Sequence, residues 1–326
     1  MPGRSEVRNV MDSAPAAARA PGERLASVAA VVVLYRPQAE LLARLIESIA
    51  PQVGKIFIVD NTPERSEEIP AMLHNCECAF CYRANGANKG LAGAQNIGIG
   101  QALRENYTHV LLLDQDSALP GGAVDGLLAA ETWLLRAGQP VAAVGPLYVD
   151  EKTGERSRGV HRSGLRVQWF PIPAQETQPV EADYLIASGS LIRAAVLRHV
   201  GLMRKELFID WVDTEWGYRA GNAGYRNYIV PTVVMKHSVG DASGRVLGRR
   251  IYLHNPARNF YIVRNAVYLL RDRRMSRHWR VTMLFYVPKY ILAHSWLAEN
   301  RGKSFRLMLR AAWEGMRGKM GPLTTL

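Results

Sequence analysis

Between Val28 and Val144 the chain alternates short, continuous apolar runs with longer segments whose apolar residues recur every three or four positions. Val28 to Leu34, Lys55 to Val59, Val110 to Leu113 and Val141 to Val144 are runs of the first kind. A strand covered on both faces of a parallel sheet needs that pattern. Pro37 opens a segment of the second kind, in which Leu41, Leu42, Leu45, Ile46 and Ile49 fall on one helical stripe. Leu91 to Leu103 and Ala123 to Arg136 predict further helices, and a short strand is expected around Ala79 to Arg83. Strand and helix in regular alternation predict an α/β fold with a mostly parallel central sheet.

After Pro146 the rhythm loosens. A helix is predicted over Ala194 to Val200, and a second opens with Glu206 to Glu215 and runs to about Ala220. Tyr225 to Val230 and Thr232 to Met235 read as two strands, the second ending at Lys236-His237. The expected organisation is a flexible tail over 1–26, a catalytic-type α/β domain over 27–240 and a basic, mainly helical region over 241–326. The tail, rich in Ala, Arg, Pro, Gly and Ser, lacks the apolar centre of a signal peptide.

Charge refines this division. The net charge is +12, and residues 270–320 alone hold 12 of the 41 Lys/Arg but only three of the 29 Asp/Glu. A nearly balanced remainder argues against a nucleic-acid binder and for one cationic C-terminal face. The most apolar long stretch, Val281 to Ala298, is interrupted by Pro288, Lys289 and His294, so a spanning helix is not expected. Cys76, Cys78 and Cys81, with His74 nearby, match no standard zinc spacing and read as small buried residues in a reducing cytoplasm.

Candidate chemistry gathers where strands end. Asp114-Gln115-Asp116 follows the run Val110 to Leu113 directly. Residues two apart on an extended strand share a face, so both carboxylates are expected side by side. A divalent cation and a diphosphate would relieve their repulsion. Asp60-Asn61-Thr62-Pro63 and Asn88-Lys89-Gly90 are turn sequences at the ends of other strands. In open α/β sheets ligands bind at that rim. No G-x-G-x-x-G follows the first strand and no P-loop is present, which disfavours hydride transfer and P-loop chemistry.

Val31-Val32-Val33, Val59-Asp60-Asn61, Asn88 to Asn96, Leu113 to Asp116 and Phe208 to Glu215, in this order, resemble the family 2 glycosyltransferases of the GT-A fold. Leu111 to Ser117, Ser188-Gly189-Ser190 and Leu207 to Asp210 are similar to its bacterial rhamnosyltransferase branch. The resemblance implies that Asp60 contacts the donor base; an Asx-turn with Thr62 is the alternative. It implies nucleotide contacts for Asn88 and Lys89, which otherwise form a turn and helix start. It implies donor and metal contacts for Asp114 and Asp116, with Asp116 the direct ligand of Mg²⁺ or Mn²⁺ and His237 a second. Asp213 is the implied general base, with Asp210 and Glu215 as competitors. Ser188 and Ser190 would shape the donor-sugar or acceptor pocket, or form a simple loop. Arg258, Tyr261 and Arg264 would face phosphate, or form a solvated helix face.

The implied reaction is inverting transfer of L-rhamnose from dTDP-L-rhamnose to a glycan or lipid-linked hydroxyl, as in O-antigen-like polysaccharide or glycolipid synthesis. A UDP-sugar donor is the alternative within the family, and a non-catalytic nucleotide-sugar or nucleic-acid binding protein the alternative outside it. Phe305, Met308, Leu309, Ala312, Trp313 and Met316 form an apolar stripe flanked by Lys303, Arg306, Arg310 and Arg317. Such a helix suits the inner face of the cell membrane. Otherwise it packs on the catalytic domain, or on a second subunit of a homo-oligomer.

Overall fold

The computed structural model describes residues 27–64, 68–73, 78–150, 154–237, 242–246 and 249–323, with residues 237 and 242–253 described as backbone only. The expected 1–26 tail, His74 and Cys76 lie outside the described residues. The chain runs β1 (Val28–Leu34), α1 (Ala39–Ile49), β2 (Lys55–Asp60), α2 (Glu68–Leu73), β3 (Phe80–Ala84), α3 (Gly90–Arg104), β4 (His109–Asp114), α4 (Ala123–Arg136) and β5 (Val141–Asp150). There follow β6 (Arg158–Ser163), β7 (Arg166–Pro171), β8 (Val180–Ala182), β9 (Leu191–Arg193), α5 (Ala194–Val200), α6 (Val212–Asn222) and β10 (Arg226–His237). A β11–β12 hairpin (Ala242–Val246, Arg249–Leu253) precedes α7 (Pro256–Leu270), α8 (Arg277–Leu297) and α9 (Arg301–Arg317).

Eight strands form one sheet in the order β3-β2-β1-β4-β9-β5-β10-β8. β3, β2, β1 and β4 are parallel neighbours, as are β5 and β10. β9 is antiparallel to both β4 and β5, so the carboxyl ends of those two reach the same rim. All seven residues of β1 are buried. Val28, Ala30, Val32 and Leu34 meet Leu42, Leu45 and Ile49 of α1 on one face. Ala29 and Val31 meet Ala92 and Ile99 of α3 on the other, in a core that continues to Phe260, Trp279 and Met308 of the C-terminal helices. The apolar run therefore reflects a sheet sandwiched by helices.

Three expectations change. The two strands expected over Tyr225 to Met235 are one, β10 (Arg226–His237), whose pairing with β5 shifts register between Val230 and Val234. Pro231, which cannot donate to a ladder, falls inside that irregularity. The helix expected from Glu206 begins only at Val212. The apolar stripe of α9 divides: Met308 is buried, whereas Phe305, Leu309, Trp313 and Met316 are exposed. Cys78 and Cys81 are free thiols and only half buried.

The C-terminal helices begin on side-chain caps, with Asn255, Ser276 and Asn300 accepting from the amides of Arg258, Trp279 and Lys303. No helix among the described residues is long and apolar enough to cross a membrane. α9 lies so close to α7 that a Cβ on Gly315 would stand 2.4 Å from the Arg264 carbonyl oxygen. Backbone cannot yield there as a side chain could. We expect Gly315→Ala to cost about 1–3 kcal/mol by overpacking, outweighing the gain of about 1 kcal/mol in helix propensity. A urea midpoint equal to or above wild type would refute this account of the α7–α9 contact.

Candidate active site

The sheet register sets two acids side by side at one rim. Leu34 pairs with Asp60 and Val33 with Asp114, so β1 separates the two strand ends by one register step. Asp60 is 1% exposed. Its Oδ1 accepts the Thr62 amide at 2.8 Å, forming the Asx-turn, and its Oδ2 accepts the Tyr82 hydroxyl at 2.8 Å. Each carboxylate oxygen retains a further acceptor site. Asn61 binds the next loop: its Nδ2 donates to the Gly90 carbonyl at 2.9 Å and its Oδ1 accepts from Asn85 at 2.9 Å. Asn88 Oδ1 accepts the Gly90 amide at 2.9 Å, which turns the chain into α3 and leaves Lys89 exposed at its start. Gly90 has a positive φ of 76°, and a Cβ there would strike Phe208 at 2.6 Å.

β4 stops at Asp114, so Gln115 and Asp116 lie in the turn beyond it and not on the strand as expected. Gln115 explains the stop. Its Oε1 accepts the Tyr35 amide at 2.8 Å and its Nε2 donates to the Tyr35 carbonyl at 3.3 Å, so the side chain caps β1. Asp114 is half buried and Asp116 exposed. The Asp114 amide donates to Ser188 Oγ at 3.2 Å, and Ser188 Oγ lies 2.6 Å from Ser117 Oγ. Gly189 and Ser190 exchange backbone hydrogen bonds with Leu112. The Ser188–Ser190 loop is thus attached to the acidic strand end. Just after Asp116, Ala118 bridges Lys236, the neighbour of His237 on β10; the His237 side chain lies outside the described residues. Among the described residues no group of three or more His, Cys, Asp or Glu gathers for a metal. One exposed and one half-buried carboxylate fit a hard cation that takes its remaining oxygens from substrate phosphate and water, not an all-protein cage.

A strained loop leads to the third acid. Phe208, Asp210 and Trp211 have φ of 69°, 62° and 64°, three of the five non-glycine residues with positive φ among the described residues. Each costs on the order of 1 kcal/mol and persists only where its surroundings over-determine it. Here α7 does so. Asn265, 0% exposed, donates through Nδ2 to the carbonyls of Leu207 at 2.7 Å, Ile209 at 2.7 Å and Asp210 at 3.2 Å. Trp211 Nε1 donates to the Ile262 carbonyl at 2.9 Å, and the Phe208 ring stacks on Tyr261 at 4.9 Å. This left-handed stretch is why α6 starts late and Asp213 falls in its first turn.

A glycosyl transferase family 2 model matches residues 30–201 of the chain. The chain is 30% identical to the dTDP-rhamnosyl transferase RfbF of Shigella flexneri over 301 residues, 90% of this chain and 97% of that one. The chain belongs to glycosyl transferase family 2. It is also 24% identical to an N-acetylglucosaminyl-diphospho-decaprenol L-rhamnosyltransferase of Mycobacterium tuberculosis, over 61% of this chain and 68% of the relative. Among solved structures, GalNAc-T7 with UDP, GalNAc and Mn²⁺ superposes with a TM-score of 0.59 at 15% identity, over 90% of this chain and 56% of that one. Staphylococcus aureus TarS residues 1–349 with UDP-GlcNAc does so at 0.52 and 13%, over 89% of this chain and 81% of that one. These two likenesses show the fold, which is that of the GT-A glycosyltransferases.

In this glycosyltransferase the three acids of the 210–215 segment have different surroundings. Glu215 is buried and held by Arg219 Nε and Nη2, each at 3.0 Å, so it is occupied by a structural ion pair. Asp210 Oδ1 accepts Arg258 Nε at 3.2 Å, and its Oδ2 is buried with no partner among the described residues. Burial pushes Asp210 up to about 6, against the pull of Arg258, and the nearby Asp213 adds to the rise. Asp213 is raised too, chiefly by burial, while the amides of Thr214 and Ala187 hold it down. Asp213 lines a small cavity with Gln95, Ser190 and Asn227.

Tyr261 and Arg264, expected on a phosphate-facing or solvated surface, instead point inward. Arg264 is 1% exposed and donates to the carbonyls of Leu207 and Gly321 and to Asn265 Oδ1, while the Tyr261 hydroxyl accepts the Leu323 amide at 2.7 Å. Only Arg258 of the three is substantially exposed. The Leu207 carbonyl draws Arg264 inside, and the Phe208 ring draws Tyr261. A polar pair, Arg264-Asn265, inside an otherwise apolar helix was the sequence signal for this clamp.

A raised carboxyl binds its proton in the folded chain over a range where the unfolded chain has lost it. Folding stability is then fully present below about pH 4 and falls as pH rises through about 6, by roughly 1.4 kcal/mol per pKa unit. Urea midpoints between pH 4 and 7 should show this slope in wild type and a flatter one in Asp210→Asn. Parallel curves would refute the assignment to Asp210.

Proposed function

We propose that this glycosyltransferase moves L-rhamnose from dTDP-L-rhamnose, with inversion, to a hydroxyl of a glycan or lipid-linked acceptor in cell-surface polysaccharide or glycolipid synthesis. One observation carries the reading. Asp114, the Ser188–Ser190 loop and Asp213 form a continuous chain of contacts, through the Ser188 hydroxyl and the Ala187 amide. Leaving-group and base chemistry are then joined through one loop, with Asp60 two strands away across β1. The Shigella and Mycobacterium relatives, both named as rhamnosyltransferases, support the choice of sugar.

In this reading Asp60 accepts from the pyrimidine N3–H, and Asn88 and Lys89 border the nucleotide. Asp114 and Asp116 face the diphosphate, Ser188 and Ser190 shape the sugar pocket, and Arg258 offers its exposed guanidinium to phosphate. Tyr261 and Arg264 act from behind, through the 207–211 loop. Mg²⁺ or Mn²⁺, held by Asp116 with His237 as a second protein ligand, would supply charge neutralisation at the leaving diphosphate. The acceptor oxygen forms its bond to the anomeric carbon as the carbon–oxygen bond to the diphosphate breaks. The bonding pair leaves with dTDP and the proton passes to Asp213. A carboxyl raised by burial is suited to that task, because its basicity moves towards neutral pH.

The test is a donor screen with dTDP-rhamnose, UDP-glucose, UDP-galactose and GDP-mannose, each with Mg²⁺ or Mn²⁺, measuring nucleoside diphosphate release. dTDP-rhamnose should be preferred, and Asp213→Asn should lower turnover about 10²- to 10⁴-fold with donor affinity nearly unchanged. Preference for a UDP-sugar would reject the rhamnosyl reading, and unchanged turnover in Asp213→Asn would reject the base.

A lipid-linked acceptor fits the C-terminal surface. Phe305, Leu309, Trp313 and Met316 of α9 and Leu284, Phe285, Leu292 and Trp296 of α8 are exposed. Arg317 lies over Trp313 at 4.5 Å and Arg301 over Trp296 at 4.1 Å. Aromatic rings beside cations match the interface of an anionic bilayer, here the cytoplasmic leaflet. The full chain should sediment with phosphatidylglycerol vesicles at low salt, and the Trp296→Ser/Trp313→Ser double variant should largely stay in solution. Equal sedimentation of both would clear the two tryptophans of that contact, and a wild-type homo-oligomer that ignores vesicles would replace the membrane with another partner.

A further inference from the structure

A larger cavity, of about 270 Å³, opens over the carboxyl-terminal half of β5 and beside Ile229 of β10. Ala143 and Asn227 line the small cavity beside Asp213, and Gly145 and Ile229, two residues further along the same strands, line this one. Residues two apart on a strand share a face, so both cavities lie on one side of the sheet. Leu185 belongs to both walls, and Ser188 to the larger. Strand order along the rim is β1, β4, β9, β5, β10. At about 4.8 Å per strand the larger cavity stands roughly 10–15 Å beyond Asp114, on the side away from Asp60.

Its lining is chemically specific. Trp169 on β7, 51% exposed, and Tyr148 and Tyr184 supply aromatic surface; Asp150, Ser157 and Arg158 supply acceptors and donors. Aromatic faces cover the C–H faces of a pyranose, while mixed polar groups take up its hydroxyls. Two acids, Asp150 and Glu155, balance two arginines, Arg156 and Arg158, so the wall favours a neutral ligand over a phosphate. Arg156 Nε is buried without a partner among the described residues, a state a ligand hydroxyl would relieve. The volume lies just under the range of about 300–1,000 Å³ usual for small-molecule pockets. That suits one sugar ring whose chain continues outward.

We propose that this cavity is the acceptor-sugar subsite, holding the terminal pyranose of a neutral glycan with one hydroxyl presented to the Ser188–Ser190 loop. The assignment rests on the glycosyl-transfer reading above and adds to it the acceptor's chemical class and the residues that hold it. Donor and acceptor then occupy opposite sides of one loop, and the acceptor approaches from the flank where Asp213 contacts Ala187.

The test needs no turnover. Saturation-transfer NMR is recorded on the full chain with octyl α-L-rhamnoside, octyl β-D-N-acetylglucosaminide, octyl β-D-galactoside and octyl α-D-mannoside, and separately with dTDP-L-rhamnose. Wild type should transfer saturation to the ring protons of at least one glycoside. Trp169→Ala and Arg158→Ala, both at exposed positions, should each weaken that binding about tenfold or more, with dTDP-L-rhamnose binding kept within about twofold of wild type. Undiminished glycoside binding in both variants, or none in wild type, overturns the subsite. A wild type that binds a glycoside but not dTDP-L-rhamnose instead overturns the donor reading while leaving the subsite standing.

Discussion

One buried amide holds the loop that leads to Asp213 in shape. Asn265 Nδ2 gathers the carbonyls of Leu207, Ile209 and Asp210, and three of the residues between 208 and 211 take left-handed conformations that side chains resist. No single contact would offset that strain. Asn265 is itself oriented by Arg264, whose guanidinium donates to its Oδ1 and to Leu207, and the aromatic rings of Phe208 and Trp211 are pinned by Tyr261 and Trp279. Because the loop is tied to α7, and α7 is packed on α9 at Gly315, the C-terminal helices are part of how Asp213 is positioned.

The other half of the site is organised by the sheet. Parallel strands deliver Asp60 and Asp114 to one rim, and short side-chain bridges prevent the strand ends from fraying: Gln115 onto Tyr35, Asn61 onto Gly90, Tyr82 onto Asp60. The loop at Gly90 and the loop at Phe208 touch directly, since the Ala92 amide donates to the Phe208 carbonyl at 3.3 Å. The Asn88–Gly90 loop and the Phe208–Trp211 loop are therefore one mechanical unit. Strain and buried acid occur together here because a rigid frame surrounds them.

Electrostatics divides the neighbouring acids by burial and partner. Glu215 is neutralised by Arg219, Asp210 is restrained by Arg258 yet still raised to about 6, and Asp213 is raised with only backbone amides and the Thr214 hydroxyl to restrain it. Spacing along the chain gives no access to this difference. Asp210, Asp213 and Glu215 are equivalent as letters, and only the groups packed around each separate an ion pair from a candidate base.

Local pattern was enough for the α/β alternation, the buried strands and the strand-end position of Asp60 and Asp114, since each depends on residues a few positions apart. The motifs in their order were enough for the family. Tertiary structure decided what depends on distant partners. It turned Arg264 inward to the Leu207 carbonyl and Tyr261 inward to stack on Phe208, delayed α6 to Val212, and moved Asp116 off the strand because Gln115 caps β1. It also buried Met308 while leaving Trp313 outside, since α9 meets α7 through its smallest residues, Ala311 and Gly315. Periodicity reports that a helix has an apolar side; which part of that side is covered is set by the shape of the neighbour it meets.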